Sequence, residues 1–402
     1  MVLFGTAGFL NAFGMGFFYP FSLLFYTAVS GQPLRAVGVV LTVTALVVLP
    51  TLIFVGRLVD RIGPRPVLVG TALLRALCFV GFVSIPGLAP LAAFSVLLAL
   101  ATRADNAAAP LLAYRLAPKG ETGQWLALSR VVFNAGIGLG ALIASTFIVD
   151  SPRGFVVLGL VYATALALTA GLWFVARGTP TAVVPPDGPV RSRPARPWGH
   201  LAFMRVALAN ALLLAAALAV ETGMPVFLLR NLTMPSWTVG LLFATNTAML
   251  AVLQLPLSRV LDRFRPATVL AFGGMAYVGL YTALLVAADT PPWLRIGLLV
   301  AGMAGYTLGE LAVSQAALLM LTGLPPDAEK GAYLAFNQLF VGGATALSPL
   351  LVTSLLSRTP AALWWALTAL SVVAALMMLP ALRGRPDRAD TPAVAEPEQS
   401  SV

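Results

Sequence analysis

Charge is scarce in this 402-residue chain: Lys, Arg, Asp and Glu together make up 10%, against 59% hydrophobic residues and a mean hydropathy of +0.91. A soluble domain carries ~25% charged residues, so a water-soluble globule is excluded. Cysteine and histidine are nearly absent, with one of each, Cys78 and His200. That excludes a disulfide framework and any His/Cys metal centre, and no cofactor is expected. A net charge of +10 could suit a nucleic-acid binder. The cations, however, stand in twos and threes between apolar runs and form no stripe on one face, so no nucleic-acid partner is expected.

What is present is apolar length. A run of ~20 residues crosses a bilayer, and the runs between charge or proline breaks place helices near 4–28, 36–56, 66–87, 90–113, 122–149 and 153–176, then near 202–229, 237–257, 267–288, 293–321, 331–356 and 361–382. The expected fold is an all-α integral membrane protein, its twelve transmembrane helices arranged as two pseudo-symmetric six-helix bundles over 1–176 and 200–382. Residues 177–199, rich in proline and arginine, read as a cytoplasmic linker, and 383–402 as a disordered cytoplasmic tail. The opening residues carry no basic n-region, so the first span is expected to begin almost at once.

Orientation follows from the cations. With the N-terminus inside, seventeen fall in the inner loops, linker and tail, and five in the outer loops (Arg35, Arg153, Arg230, Arg295 and Arg358); Arg75, Arg103 and Arg130 lie within spans. Cytoplasmic loops are enriched in Lys and Arg, so both termini are expected in the cytoplasm. Twenty-three arginines against two lysines, with abundant alanine and proline, point to a GC-rich bacterial genome and hence the bacterial plasma membrane.

The halves also repeat. VGVVLTVTALVVLPTLIFVGRLVDRIGPRPVLVG, from Val37, lies against VGLLFATNTAMLAVLQLPLSRVLDRFRPATVLAF, from Val239, with Gly38 over Gly240 and Asp60-Arg61 over Asp262-Arg263. Repeats that rock against each other expose a central path alternately to the two sides of a membrane.

Residues 56–65, GRLVDRIGPR, resemble the loop signature G-x-x-x-D-R-x-G-x-R of the major facilitator superfamily, in the loop between the second and third helices where that family carries it. The resemblance implies that Gly56, Asp60, Arg61, Gly63 and Arg65, with Asp262 and Arg263 of the second copy, latch the cytoplasmic side in one conformation. It also implies that the first, fourth, seventh and tenth helices line a central cavity, and polar residues concentrate on those helices. The first carries Asn11, Met15, Tyr19, Ser22 and Tyr26 at helical spacing, the fourth Arg103, Asp105 and Asn106, the seventh Asn210 and Glu221, the tenth Tyr306, Glu310, Ser314 and Gln315. Ionisable groups inside a membrane mark such paths.

Arg103 resembles the fourth-helix arginine of proton-driven exporters in the family, with Ala107 where a glycine often stands. Arginine stays charged, so its role would be to bias a carboxylate, Asp105 or one across the cavity; a structural ion pair is the alternative. Glu310, sharing a face with Tyr306 and Ser314, suits a proton carrier or a cationic-substrate site, or else a buried glutamate bonded to a neighbouring helix. Glu221, near Pro225, reads in the same way, with solvated rim charge as its alternative. On the fifth helix Arg130, Asn134 and Gly138 share a face, and Gly136 and Gly140 provide a small-xxx-small contact, expected to bring the second and fifth helices close to the other half; the proline of the antiporter signature is missing there. Arg75 reads as a snorkelling or paired residue.

The expected function is proton-coupled efflux of amphiphilic drugs or secondary metabolites by a monomer working through alternating access, its partners being the small-molecule substrate, protons and the lipid bilayer, driven by a proton gradient. An importer or facilitator of a small polar metabolite is the alternative. A membrane enzyme or receptor is disfavoured, because no His-rich or paired-carboxylate constellation and no large extramembrane domain stand in the sequence.

Overall fold

The computed structural model describes residues 2–51, 58–59, 61–116, 122–147, 152–175, 197–326 and 329–380. Among them the secondary structure is entirely helical. The main helices are α1 (Val2–Phe18), α2 (Ser22–Ser30), α3 (Leu34–Val48), α4 (Pro64–Ser84), α5 (Leu88–Leu116), α6 (Thr122–Phe147) and α7 (Pro152–Val175) in the first half, and α8 (Leu201–Val226), α9 (Trp237–Leu261), α10 (Pro266–Val286), α11 (Pro292–Gly323), α12 (Lys330–Leu356) and α13 (Ala362–Leu376) in the second. Ten membrane-length apolar helices occur among the described residues, and Val131–Thr146 and Ala362–Leu376 are shorter apolar stretches. This is a multi-pass membrane protein, in which helices supply hydrogen-bond partners that the hydrocarbon cannot. Phe272 on α10 is 72% exposed and Trp293, at the start of α11, 80%, as side chains facing lipid tails and the interfacial region are.

The first span is not one helix. A three-residue tighter turn, Tyr19–Phe21, separates α1 from α2, because Pro20 has no N–H to continue the ladder. The single polar face expected from Asn11 to Tyr26 is therefore broken: Ser22 and Tyr26 turn into the core, while Tyr19 stays 39% exposed. The helix expected over 36–56 is described to Val48, followed by a turn at Leu49–Thr51. Of the linker, only the turn Pro197–Gly199 is described, and the 383–402 tail lies outside the described residues.

Within the first half α1 packs on α6 and α7, and α4 on α5 and α7; within the second, α10 packs on α11 and α13, and α8 on α12. The halves meet through α6 on α9 and α3 on α12. Gly136 and Gly140 serve a different contact from the one expected: they bring α6 against α1 of the same half, where a Cβ would meet the backbone at Phe9 and Phe13. Gly138, pointing the other way on the same helix, faces Thr247 of α9 in the other half.

At the end opposite the linker the two halves are sealed. Arg230 donates to the Thr27 hydroxyl at 3.2 Å, the Leu350 amide to Thr42 at 3.1 Å, and Ser236 to the Ser145 carbonyl at 2.7 Å. Gly38 abuts Thr353 and Gly240 abuts Ser145, with no room for a Cβ at either glycine.

Candidate functional site

Two groups of ionisable residues lie at membrane depth, one in each half. In the first, Arg75 of α4 is 2% exposed. Its Nη1 stands 3.4 Å from Asp105 Oδ2, its Nη2 donates to the Tyr162 hydroxyl at 2.6 Å, and the guanidinium lies 5.9 Å from the Tyr162 ring centroid. Thr71, one turn before Arg75, donates to Asp105 Oδ1 at 3.3 Å. Charges this deep persist only when paired, and this pair ties α4, α5 and α7 together. Arg75 thus takes the place considered for Arg103 as the partner of Asp105. Arg103 and Asp105 are two residues apart, so they leave α5 on nearly opposite sides: Asp105 is buried, Arg103 half-buried and Asn106 exposed.

In the second half the backbones of α10 and α11 nearly touch at Gly273 and Gly309, a small-residue approach that fixes the rotation of α11. Glu310, the next residue, accepts from Asn246 Nδ2 of α9 at 2.9 Å, and the same amide reaches Thr307 at 3.1 Å. Tyr306 stacks on Tyr277 of α10, ring centroids 4.5 Å apart, and both rings lie within electrostatic reach of Glu310. Glu221 of α8 is within electrostatic reach of Glu310. It is exposed, whereas Glu310 is half-buried. Tyr19, at the break in the first span, is within electrostatic reach of Arg75 and Asp105 of its own half and of Glu221 of the other.

The remaining expected residues are placed as follows. Asn210, half-buried, lies three turns along α8 from Glu221, and Asn11, also half-buried, two turns along α1 from Tyr19. Gln315 turns to the end of α9: its amide donates to Asp262 Oδ1 at 2.6 Å and the Ser258 carbonyl at 3.1 Å, tying α11 to that end. Arg65 binds the last turn of α7, its Nε donating to the Trp173 carbonyl at 2.7 Å and its Nη2 to that of Phe174, where a cation complements a helix C-terminus. Gly63 holds a φ of 89°, which glycine adopts without strain, and Arg61 and Arg263 are exposed. Gly56, Asp60 and the Arg130 side chain lie outside the described residues, and Asn134 is half-buried. Sequence reasoning missed Tyr162 and Tyr277, whose hydroxyls stand in apolar runs. The role of Asn246 is not legible in the sequence, because its bond to Glu310 crosses helices far apart in the chain.

The model of the Major Facilitator Superfamily matches residues 4–321. The chain belongs to that superfamily. It is a transporter and not an enzyme, and small-molecule transport is what the superfamily fold serves. No curated protein matches it in sequence. Among solved structures, this superfamily member resembles a point mutant of the nucleoside transporter NupG with a TM-score of 0.81 at 12% identity, over 94% of this chain and 98% of that one. It also resembles the peptide transporter POT in complex with sulfate (0.76, 15%, covering 95% and 94%) and a bacterial homologue of the iron transporter ferroportin in an inward-facing state (0.75, 14%, covering 94% and 97%). At these identities the likeness establishes the superfamily fold.

Proposed function

We propose that this transporter exports amphiphilic molecules in exchange for protons by alternating access, with Glu310 and Glu221 as the groups that take up and release the proton. The observation that carries this reading is that two carboxylates on different helices, Glu221 of α8, exposed, and Glu310 of α11, half-buried and held by Asn246, lie within electrostatic reach of each other. Two carboxylates within such reach repel, and a proton bound there relieves the repulsion. The sealed end is, in this reading, the outer face, which the cation distribution supports, and the protein works as a monomer in a bacterial plasma membrane with both termini cytoplasmic. In this reading the loop residues Arg65 and Asp262, bound here to their own halves, exchange partners when the inner side closes.

Import of a small polar metabolite is the competing reading, favoured by the fold-level likeness to nucleoside and peptide transporters. Inverted vesicles with an acidic lumen distinguish the two. Accumulation of fluorescent amphiphiles that falls at least ~10-fold in Glu310→Gln supports proton-coupled export. No accumulation across the dye panel, with nucleoside or peptide uptake in right-side-out vesicles, replaces it with import.

A further inference from the structure

We infer that the groove between α10 and α11 is a phospholipid site, with one acyl chain lying in the groove and the phosphate held by Arg295 at its mouth.

The groove has a volume of about 420 Å³ and runs between Met275, Gly279 and Val286 of α10 and Leu298, Gly302 and Gly305 of α11. From Met275 to Val286 is ~16 Å of helix, about half of a ~30 Å hydrocarbon core, which is the depth of one leaflet. Glycine at three of these positions makes the floor. A Cβ at Gly302 would stand 2.9 Å from that of Ala283, whereas one at Gly279 or Gly305 would meet no atom within 4 Å. Gly302 therefore lets the two helices approach, and Gly279 and Gly305 keep a channel open beside that approach. Nothing in the channel calls for a polar ligand. The one hydroxyl in its lining, Thr282 Oγ1, donates to the Val278 carbonyl of its own helix at 2.9 Å, so a hydrocarbon chain is the occupant that loses no hydrogen bond there.

The mouth sets the rest of the ligand. Arg295 stands one turn before Leu298, and its Nη2 donates to the carbonyls of Thr290 at 3.0 Å and Ala288 at 3.3 Å. These bonds fix the guanidinium at the α10–α11 turn, just beyond Val286, where the exposed Trp293 marks the interfacial region. Nη2 uses two of the five N–H groups, and Nε, shielded from solvent, has no hydrogen-bond partner among the described residues. Asp289 of the same turn is exposed, and among the described residues no carboxylate lies within ion-pair distance of Arg295. A fixed guanidinium with donors to spare, above an apolar channel one leaflet deep, matches a phosphodiester above an acyl chain. Because Asp289 offsets the charge of the turn, the site reads the phosphate that every phospholipid carries and not a net anionic headgroup.

The test mixes the full chain, purified in detergent, with dioleoylphosphatidylglycerol, dioleoylphosphatidylethanolamine or dioleoylglycerol, which has the same chains and no phosphate. Native mass spectrometry titrates the first bound lipid. Both phospholipids should bind at least ~10-fold more tightly than the diacylglycerol and within ~3-fold of each other. Gly279→Leu and Gly305→Leu fill the channel and should each weaken phospholipid binding at least ~10-fold. Arg295→Gln should bring phospholipid affinity down to that of the diacylglycerol, with Arg295→Lys keeping part of the difference; these two leave the groove intact and decide the matter should a leucine variant fail to fold. A groove of about 390 Å³ between α1 and α7, lined in part by Thr164 and by no glycine, serves as the control, and Thr164→Leu should change the affinity less than ~2-fold. Equal binding of phospholipid and diacylglycerol, native affinity in Arg295→Gln or in folded leucine variants, or a loss in Thr164→Leu as large as in Gly305→Leu overturns the assignment, the last by showing an unspecific lipid belt.

Discussion

Gly240 of α9 meets Ser145 of α6 across the two halves so closely that a Cβ would overlap the serine hydroxyl. Gly38, its counterpart in the internal repeat, meets Thr353 of α12 in the same way. The repeat thus places one glycine-on-hydroxyl contact at each of the two seams that close the end opposite the linker. Replacing either glycine with leucine should keep that end from closing. Overpacking of this kind costs about 1–3 kcal/mol. Transport should fall at least ~10-fold, and a cysteine introduced at Thr27 should become reactive to a membrane-impermeant thiol reagent. Cys78, 1% exposed, gives little background. Unchanged labelling would show that the seams close without these contacts.

Arg75 and Asp105 should behave as a unit. Removing one partner leaves a buried charge uncompensated, which costs about 3–5 kcal/mol, whereas apolar replacement of both is often nearly neutral. Thermal unfolding in detergent should therefore show Arg75→Met and Asp105→Leu each strongly destabilised and the double variant closer to native. Additive losses would mean that the 3.4 Å approach carries no coupling.

Asn246→Ala removes the donor to Glu310. A hydrogen bond to a charged group contributes about 1.5–3 kcal/mol, so gradient-driven flux should drop by roughly tenfold or more while the fold persists. Asn246→Asp should be worse than Asn246→Ala, because it puts a second carboxylate directly against Glu310. Equal flux in the native protein and Asn246→Ala would remove Asn246 from the site.

Arg65→Ala should loosen the last turn of α7 by about 1 kcal/mol, from loss of a cation at a helix C-terminus. Arg65→Lys should recover only part, since a single ammonium does not reproduce the fork that reaches Trp173 and Phe174 together. Hydrogen exchange over the end of α7 measures both.

The sequence alone determined the multi-pass all-helical architecture and the superfamily, because bilayer thickness converts apolar length directly into helix length and the GRLVDRIGPR loop is a contiguous motif. It also singled out Glu310 and Glu221, since an ionisable residue within an apolar run stands out without any knowledge of its neighbours. Only the tertiary structure decided the partners. Arg75 and Asp105, thirty residues apart, pair because α4 and α5 pack side by side, whereas Arg103, two residues from Asp105, is turned away by helical rotation. Asn246 reaches Glu310 across a 64-residue separation, and Gln315, on the cavity helix by sequence, is drawn to Asp262 by the end of α9. Periodicity fixes which face of a helix is polar; which neighbour that face meets is set by close approaches such as Gly309 on Gly273 and Gly240 on Ser145, and these depend on packing between segments distant in the chain.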